Sequence, residues 1–93
     1  MKGLIIREPY AGQILSGAKT EEIRGSATKI RGTIAVIPAG TLTVAGTVDI
    51  VDCRGPLPAG WGYKKVYKYI LKNPKKLKTP VPYKHKSGAV RWV

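Results

Sequence analysis

Residues 3–24 read GLIIREPYAGQILSGAKTEEIR, and three kinds of local signal follow one another within them. Leu4, Ile5 and Ile6 form a short apolar run that suits a buried strand. Glu8-Pro9 then opens a segment in which Tyr10, Ala11, Ile14 and Leu15 recur at helical spacing. Pro9 suits a first helical position, where its missing N–H would have no intrahelical partner. Gly17 is a good stop, because glycine takes left-handed backbone without steric cost. Lys19 to Arg24 then reads as a strand, with Thr20, Glu22 and Arg24 on one face and Glu21 and Ile23 on the other. Strand, short helix and strand therefore gather Tyr10, Lys19, Glu22 and Arg24. No other stretch collects so many unlike polar groups.

Outward from this stretch, size and composition set the frame. The chain has 93 residues, which fits one domain over 1–93 with a modest core. Apolar residues make up 43%, and no apolar run approaches the roughly 20 residues of a membrane span. Met1-Lys2-Gly3 leads directly into a strand-like run, unlike a signal peptide. Cys53 is the single cysteine, so an internal disulfide and paired-cysteine zinc sites are excluded. A reducing cytoplasm is the simplest location. Five scattered acids, one histidine and one cysteine offer no ligand spacing, so neither a metal nor another cofactor is expected.

Charge is lopsided. All five acids (Glu8, Glu21, Glu22, Asp49, Asp52) precede residue 53. Against the six bases of that segment they leave a net of +1. Residues 53–93 hold Arg54, Arg91 and nine lysines with no acid, a net of +11. Such asymmetry points to a polyanionic partner, nucleic acid first. A membrane surface fits less well, since the basic stretch has no amphipathic helical period.

Further along, Gly32 to Ile37 alternates, with Ile34 and Val36 on one face, and Pro38-Ala39-Gly40 ends the run. Thr43 to Asp52 reads as a longer strand, in which Gly46 suggests a bulge or sharp bend. Residues 54–64 (RGPLPAGWGYK) read as a loop. Lys65 to Lys72 alternates again, with Tyr67, Tyr69 and Leu71 inward. Residues 73–88 carry Pro74, Pro80 and Pro82 and so exclude a central strand or a long helix. Ala89 to Val93 reads as a closing strand. About six short strands and one short N-terminal helix describe a mainly β chain folded as a small β-barrel.

Arg7-Glu8-Pro9-Tyr10-Ala11, followed by Ile14 and by Gly17-Ala18-Lys19-Thr20-x-Glu22-x-Arg24, resembles the ASCH domain family, the activating-signal-cointegrator homology domains. Arg31-Gly32, Gly46-Thr47-Val48, the aromatic strand at 67–71, Lys72-Asn73-Pro74, Pro80-Val81-Pro82 and Gly88 before Trp92 continue the resemblance to the end of the chain. It implies a PUA-like β-barrel, and a cleft between the first helix and the barrel lined by the Lys, Glu and Arg positions. It also implies nucleic-acid binding, RNA cleavage or deacylation of acetylated cytidine as activities found in the family. In the small amidohydrolase branch the catalytic lysine falls on Lys19, while that branch carries threonine in place of Glu22. Relatives often carry serine after the third strand, where this chain has Ala39-Gly40.

Two readings of the cluster follow. In the first, the domain binds RNA (ahead of DNA) or a nucleotide: Glu22 holds Lys19 and Arg24, and the cations grip phosphate or a base edge. Arg7 and Arg31 flank the cleft in the family pattern. Tyr10 at its mouth and Trp61, in a loop with Tyr63, Lys64 and Lys65, suit base stacking. The lysines of the second half, including Lys84 and Lys86, suit phosphate contacts. In the second reading, an enzyme acts on RNA or modified nucleosides through Lys19 and Glu22. Glu22 beside Lys19 favours a charged lysine, which stabilises anions rather than abstracting protons. His85, the single histidine, reads as a solvated loop residue.

Overall fold

The structure is a computed structural model that describes residues 1–58 and 65–83. Five strands and one helix follow in the order β1 (Gly3–Ile6), α1 (Tyr10–Ser16), β2 (Glu21–Arg24), β3 (Gly32–Pro38), β4 (Thr43–Pro58) and β5 (Lys65–Pro82). The strands form one sheet in the order β1-β3-β4-β5-β2. β1 runs parallel to β3, and the other pairs are antiparallel. Among the described residues, β1 and β2 are the two edges of this sheet, and no ladder joins them. The closed six-stranded barrel expected from the sequence is thus a five-stranded open sheet here. Its proposed closing strand, Ala89 to Val93, lies outside the described residues.

The core forms on the sheet face that packs against α1, where alternation puts it. Leu4, Ile6, Ile34, Val36, Val48, Ile50, Tyr69 and Leu71 come from the strands, and Ala11, Ile14 and Leu15 from α1. At seven residues α1 is too short to hold itself in water, so this packing supports it. Gly17 ends it at φ 85°, with its N–H donated to the Ile14 carbonyl at 3.1 Å. Pro9 stands one position earlier than expected, as the N-cap, and the first-turn N–H of Gly12 is taken up by Glu8 Oε1 at 2.8 Å. Gly46 lies where α1 crosses the sheet. A Cβ there would collide with the Lys75 carbonyl oxygen and with Leu15 Cδ2.

Part of one segment read as a loop is strand, and the proline-bearing segment excluded as a central strand is strand at an edge. Residues 54–58 continue β4, and 73–82 continue β5. Prolines are tolerated in the second because β2 pairs β5 only from Tyr67 to Ile70. Beyond that point β4 is the one neighbour among the described residues, so Pro74, Pro80 and Pro82 need no donor on the other side. Bulges absorb the mismatch. Asp49 pairs with Lys72 but Thr47 with Lys75, which leaves an extra residue on β5 near Asn73, at φ 56°. No helix among the described residues is long and apolar enough to cross a membrane.

Candidate nucleic-acid cleft

β1 is an edge strand, and its carbonyls alternate in direction. Those of Lys2 and Ile6 accept N–H groups from Ala35 and Ala39 on the β3 side. The Ile5 carbonyl therefore points the other way, into the gap toward β2. Arg24, the last residue of β2, fills that vacancy from the opposite edge: its Nη2 donates to Ile5 O at 2.6 Å. The two rims of the sheet thus meet through a side chain.

Glu22 holds Arg24 in place. Its residue is 7% exposed, and burying a carboxylate costs several kcal/mol unless cations and donors compensate. Both oxygens are compensated. Oε2 receives Arg24 Nε at 2.9 Å and Nη2 at 2.8 Å. Oε1 faces Lys19 Nζ at 3.8 Å. Lys19 is positioned by the turn after α1, where its backbone N–H donates to Gln13 O at 3.0 Å. The next residue, Thr20, accepts the Leu71 N–H at 2.9 Å, anchoring the start of β2 on β5. The Lys19 ammonium also lies 5.1 Å from the centre of the Tyr10 ring, within cation–π range.

Above this arrangement opens a cleft of about 680 Å³. Arg7, Tyr10, Lys19, Glu22 and Arg24, each named from the sequence, all line it. Ile5, Ile23, Gly25 and Ala39 complete the walls; of these, Ile5, Ile23 and Gly25 were not legible as site residues. Ile23 and Tyr10 are each about half exposed, so one apolar and one aromatic surface face the opening. Ala39 sits where a serine would add a hydroxyl. Arg7 is exposed and forms no ion pair or side-chain hydrogen bond among the described residues.

Arg31 departs from expectation. It does not line the cleft but lies exposed before β3, donating Nη1 to the carbonyls of Thr28 (3.0 Å) and Ile30 (2.9 Å). It stands near Asp52, whose carboxyl is held below its usual value by the Cys53 N–H, by Arg54 and, more weakly, by Arg31. Trp61, Lys84 and Lys86, with His85, lie outside the described residues.

A second polar cluster occupies the β3–β4–β5 surface. Asp49 accepts Thr33 Oγ1 at 2.7 Å and Asn73 Nδ2 at 3.0 Å. Asn73 chiefly, then Thr33, lowers the Asp49 carboxyl, and nearby Lys75 adds to the shift. Thr47 completes a small hollow of about 270 Å³.

The model of the ASCH domain family matches residues 4–81. Among solved structures, a ZmASCH variant from Zymomonas mobilis with tyrosine replaced by phenylalanine is similar at a TM-score of 0.70. Identity is 15% over 87% of this chain and 74% of that one. A serine-to-alanine variant of the same protein gives 0.65, at 16% identity over 87% and 72%. No curated protein matches the chain.

Proposed function

Since the chain belongs to the ASCH domain family, we propose that it is an RNA-binding domain that takes single-stranded RNA, or a nucleotide unit, in the cleft between β1 and β2. In this reading residues 1–93 act as one PUA-like domain. The observation that carries the proposal is the pairing of two cations with an aromatic ring around one opening: Arg7, Lys19 and Tyr10. The volume falls in the range of small-ligand sites, roughly 300–1,000 Å³. Phosphate would meet the cations, and a base would lie against Tyr10 and the apolar wall. Exposed Lys72, Lys75, Lys76 and Lys78 on β5 supply a charge track for further phosphates.

An enzymatic reading needs a group that moves a proton or attacks. Glu22 is committed to Arg24 and Lys19, which favours anion binding over turnover. The test is binding of the purified protein to short single-stranded RNA at two salt concentrations, with the RNA checked for cleavage afterwards. Binding that weakens steeply with salt and leaves the RNA intact is the expected result. Cleavage lost in Lys19→Ala would put catalysis first, and no binding at low salt would refute the RNA reading.

A further inference from the structure

Arg24 looks at first like the strongest ligand cation of the cleft, but its Nε and Nη2 are already committed. Its guanidinium makes two contacts to Glu22 and one to the Ile5 carbonyl, and its side chain is 16% exposed. Arginine offers five N–H donors in a rigid fork, so Nε and Nη2 are turned to the protein. Lys19 and Arg7 differ from it. Lys19 is 25% exposed and meets Glu22 only at 3.8 Å, and Arg7 is exposed with no side-chain partner among the described residues.

We propose that Arg24 is a latch across the open seam of the sheet, a positioning residue that fixes the spacing of β1 and β2, while Arg7 and Lys19 meet the charge of the ligand. The chemistry of the latch explains the choice of residue. Joining a strand-edge carbonyl to a buried carboxylate takes two directed donors on one planar group, which lysine cannot supply. A lysine here could reach Ile5 O or Glu22, but would not hold both in fixed geometry. The ligand-facing cations need the opposite property, freedom to follow a phosphate.

The inference rests on the RNA reading for its binding half and on the sheet for its structural half, so two measurements separate them. The first is RNA affinity over a salt series for the unmodified protein, Arg24→Gln, Arg7→Ala and Lys19→Ala, at a temperature where all are folded by circular dichroism. Losing one phosphate contact on single-stranded nucleic acid flattens the salt slope by about 0.7. Arg7→Ala and Lys19→Ala are expected to show that flattening. Arg24→Gln is expected to bind about tenfold more weakly with the slope unchanged, the mark of a misplaced site whose ligand-facing cations, Arg7 and Lys19, are both still present. A flattened slope in Arg24→Gln, or affinity equal to the unmodified protein, overturns the latch. The second measurement is amide hydrogen exchange in β1 and β2, compared between the unmodified protein and Arg24→Lys, which keeps the charge if the glutamine variant fails to fold. Faster exchange in both edges, relative to β3, supports the latch. Unchanged exchange overturns it, whether or not RNA binds. Absence of RNA binding by the unmodified protein overturns the assignment of Arg7 and Lys19, leaving exchange to decide the structural half.

Discussion

Glu22 and Asp49 are two carboxylates in two polar clusters of one sheet, and they behave differently. Glu22 is buried on an edge strand and gathers two cations whose outer sides face an open cleft. Asp49 is partly exposed on a central strand, and its oxygens take neutral donors from Thr33 and Asn73. The first arrangement concentrates positive charge beside empty space. The second uses its bonds to hold β3 to the bulge of β5. Polar density alone does not mark a site. What marks it is a buried carboxylate that ties one cation, Arg24, into the sheet and holds another, Lys19, loosely enough to meet something else.

The largest effect expected from breaking this contrast is on stability, at Glu22. Glu22→Ala leaves Arg24 and Lys19 unpaired beside the core, and a fully buried pair broken this way costs about 3–5 kcal/mol. Since those side chains keep 16% and 25% exposure, a loss of about 2–3 kcal/mol in urea unfolding is expected. A loss below about 0.5 kcal/mol would mean that the cluster is merely a solvated strand face.

Gly46→Ala tests the support beneath the helix that carries the Tyr10 side of the cleft. The added methyl meets Leu15 and the β5 backbone, so a cost of about 1–3 kcal/mol is expected in the same assay. An unchanged midpoint would show that α1 lifts off without penalty.

Lys19→Ala is expected to change stability little and RNA affinity by about tenfold, the weight of one charge-assisted contact. Equal affinity in a filter or fluorescence assay would remove Lys19 from the site.

The smallest effect belongs to Asp49 and appears only in acid. Its carboxyl is lowered from 3.8 when folded, so the unfolded chain binds the proton more readily. The stabilisation is present above that value and is lost as pH falls through the lower folded one. Asp49→Asn is therefore expected to flatten the acid limb of thermal stability below about pH 4, with neutral RNA binding unchanged. An identical acid limb in the variant would show that the carboxyl is not held.

Much of the cleft was legible because its signals are local. Helical spacing placed Tyr10 on α1 and strand alternation put Glu22 and Arg24 on one face, while the cleft that they line with Lys19 was implied by the family resemblance. The partner of Arg24 was not legible, because the Ile5 carbonyl becomes available only through the sheet order, which depends on pairings far apart in sequence. The length of β5 was missed for a related reason. Proline is excluded from a strand only where a neighbour needs its N–H, and the short β2 removes that neighbour after Ile70. Arg31 was placed by family pattern alone, and its own carbonyl contacts turn it elsewhere.

The seam also fixes an order of assembly. β3, β4 and β5 follow one another as antiparallel neighbours, whereas β1 must find β3 and β2 must find β5 across intervening chain, with Leu4 opposite Val36 and Glu22 opposite Tyr69. Closing longer loops costs more entropy before contacts reward it. The meander is therefore expected to form early, and the edges to dock late. Changes in the seam should then speed unfolding while leaving the refolding rate nearly untouched, so the cleft is the last part of the molecule to assemble and the first to come apart.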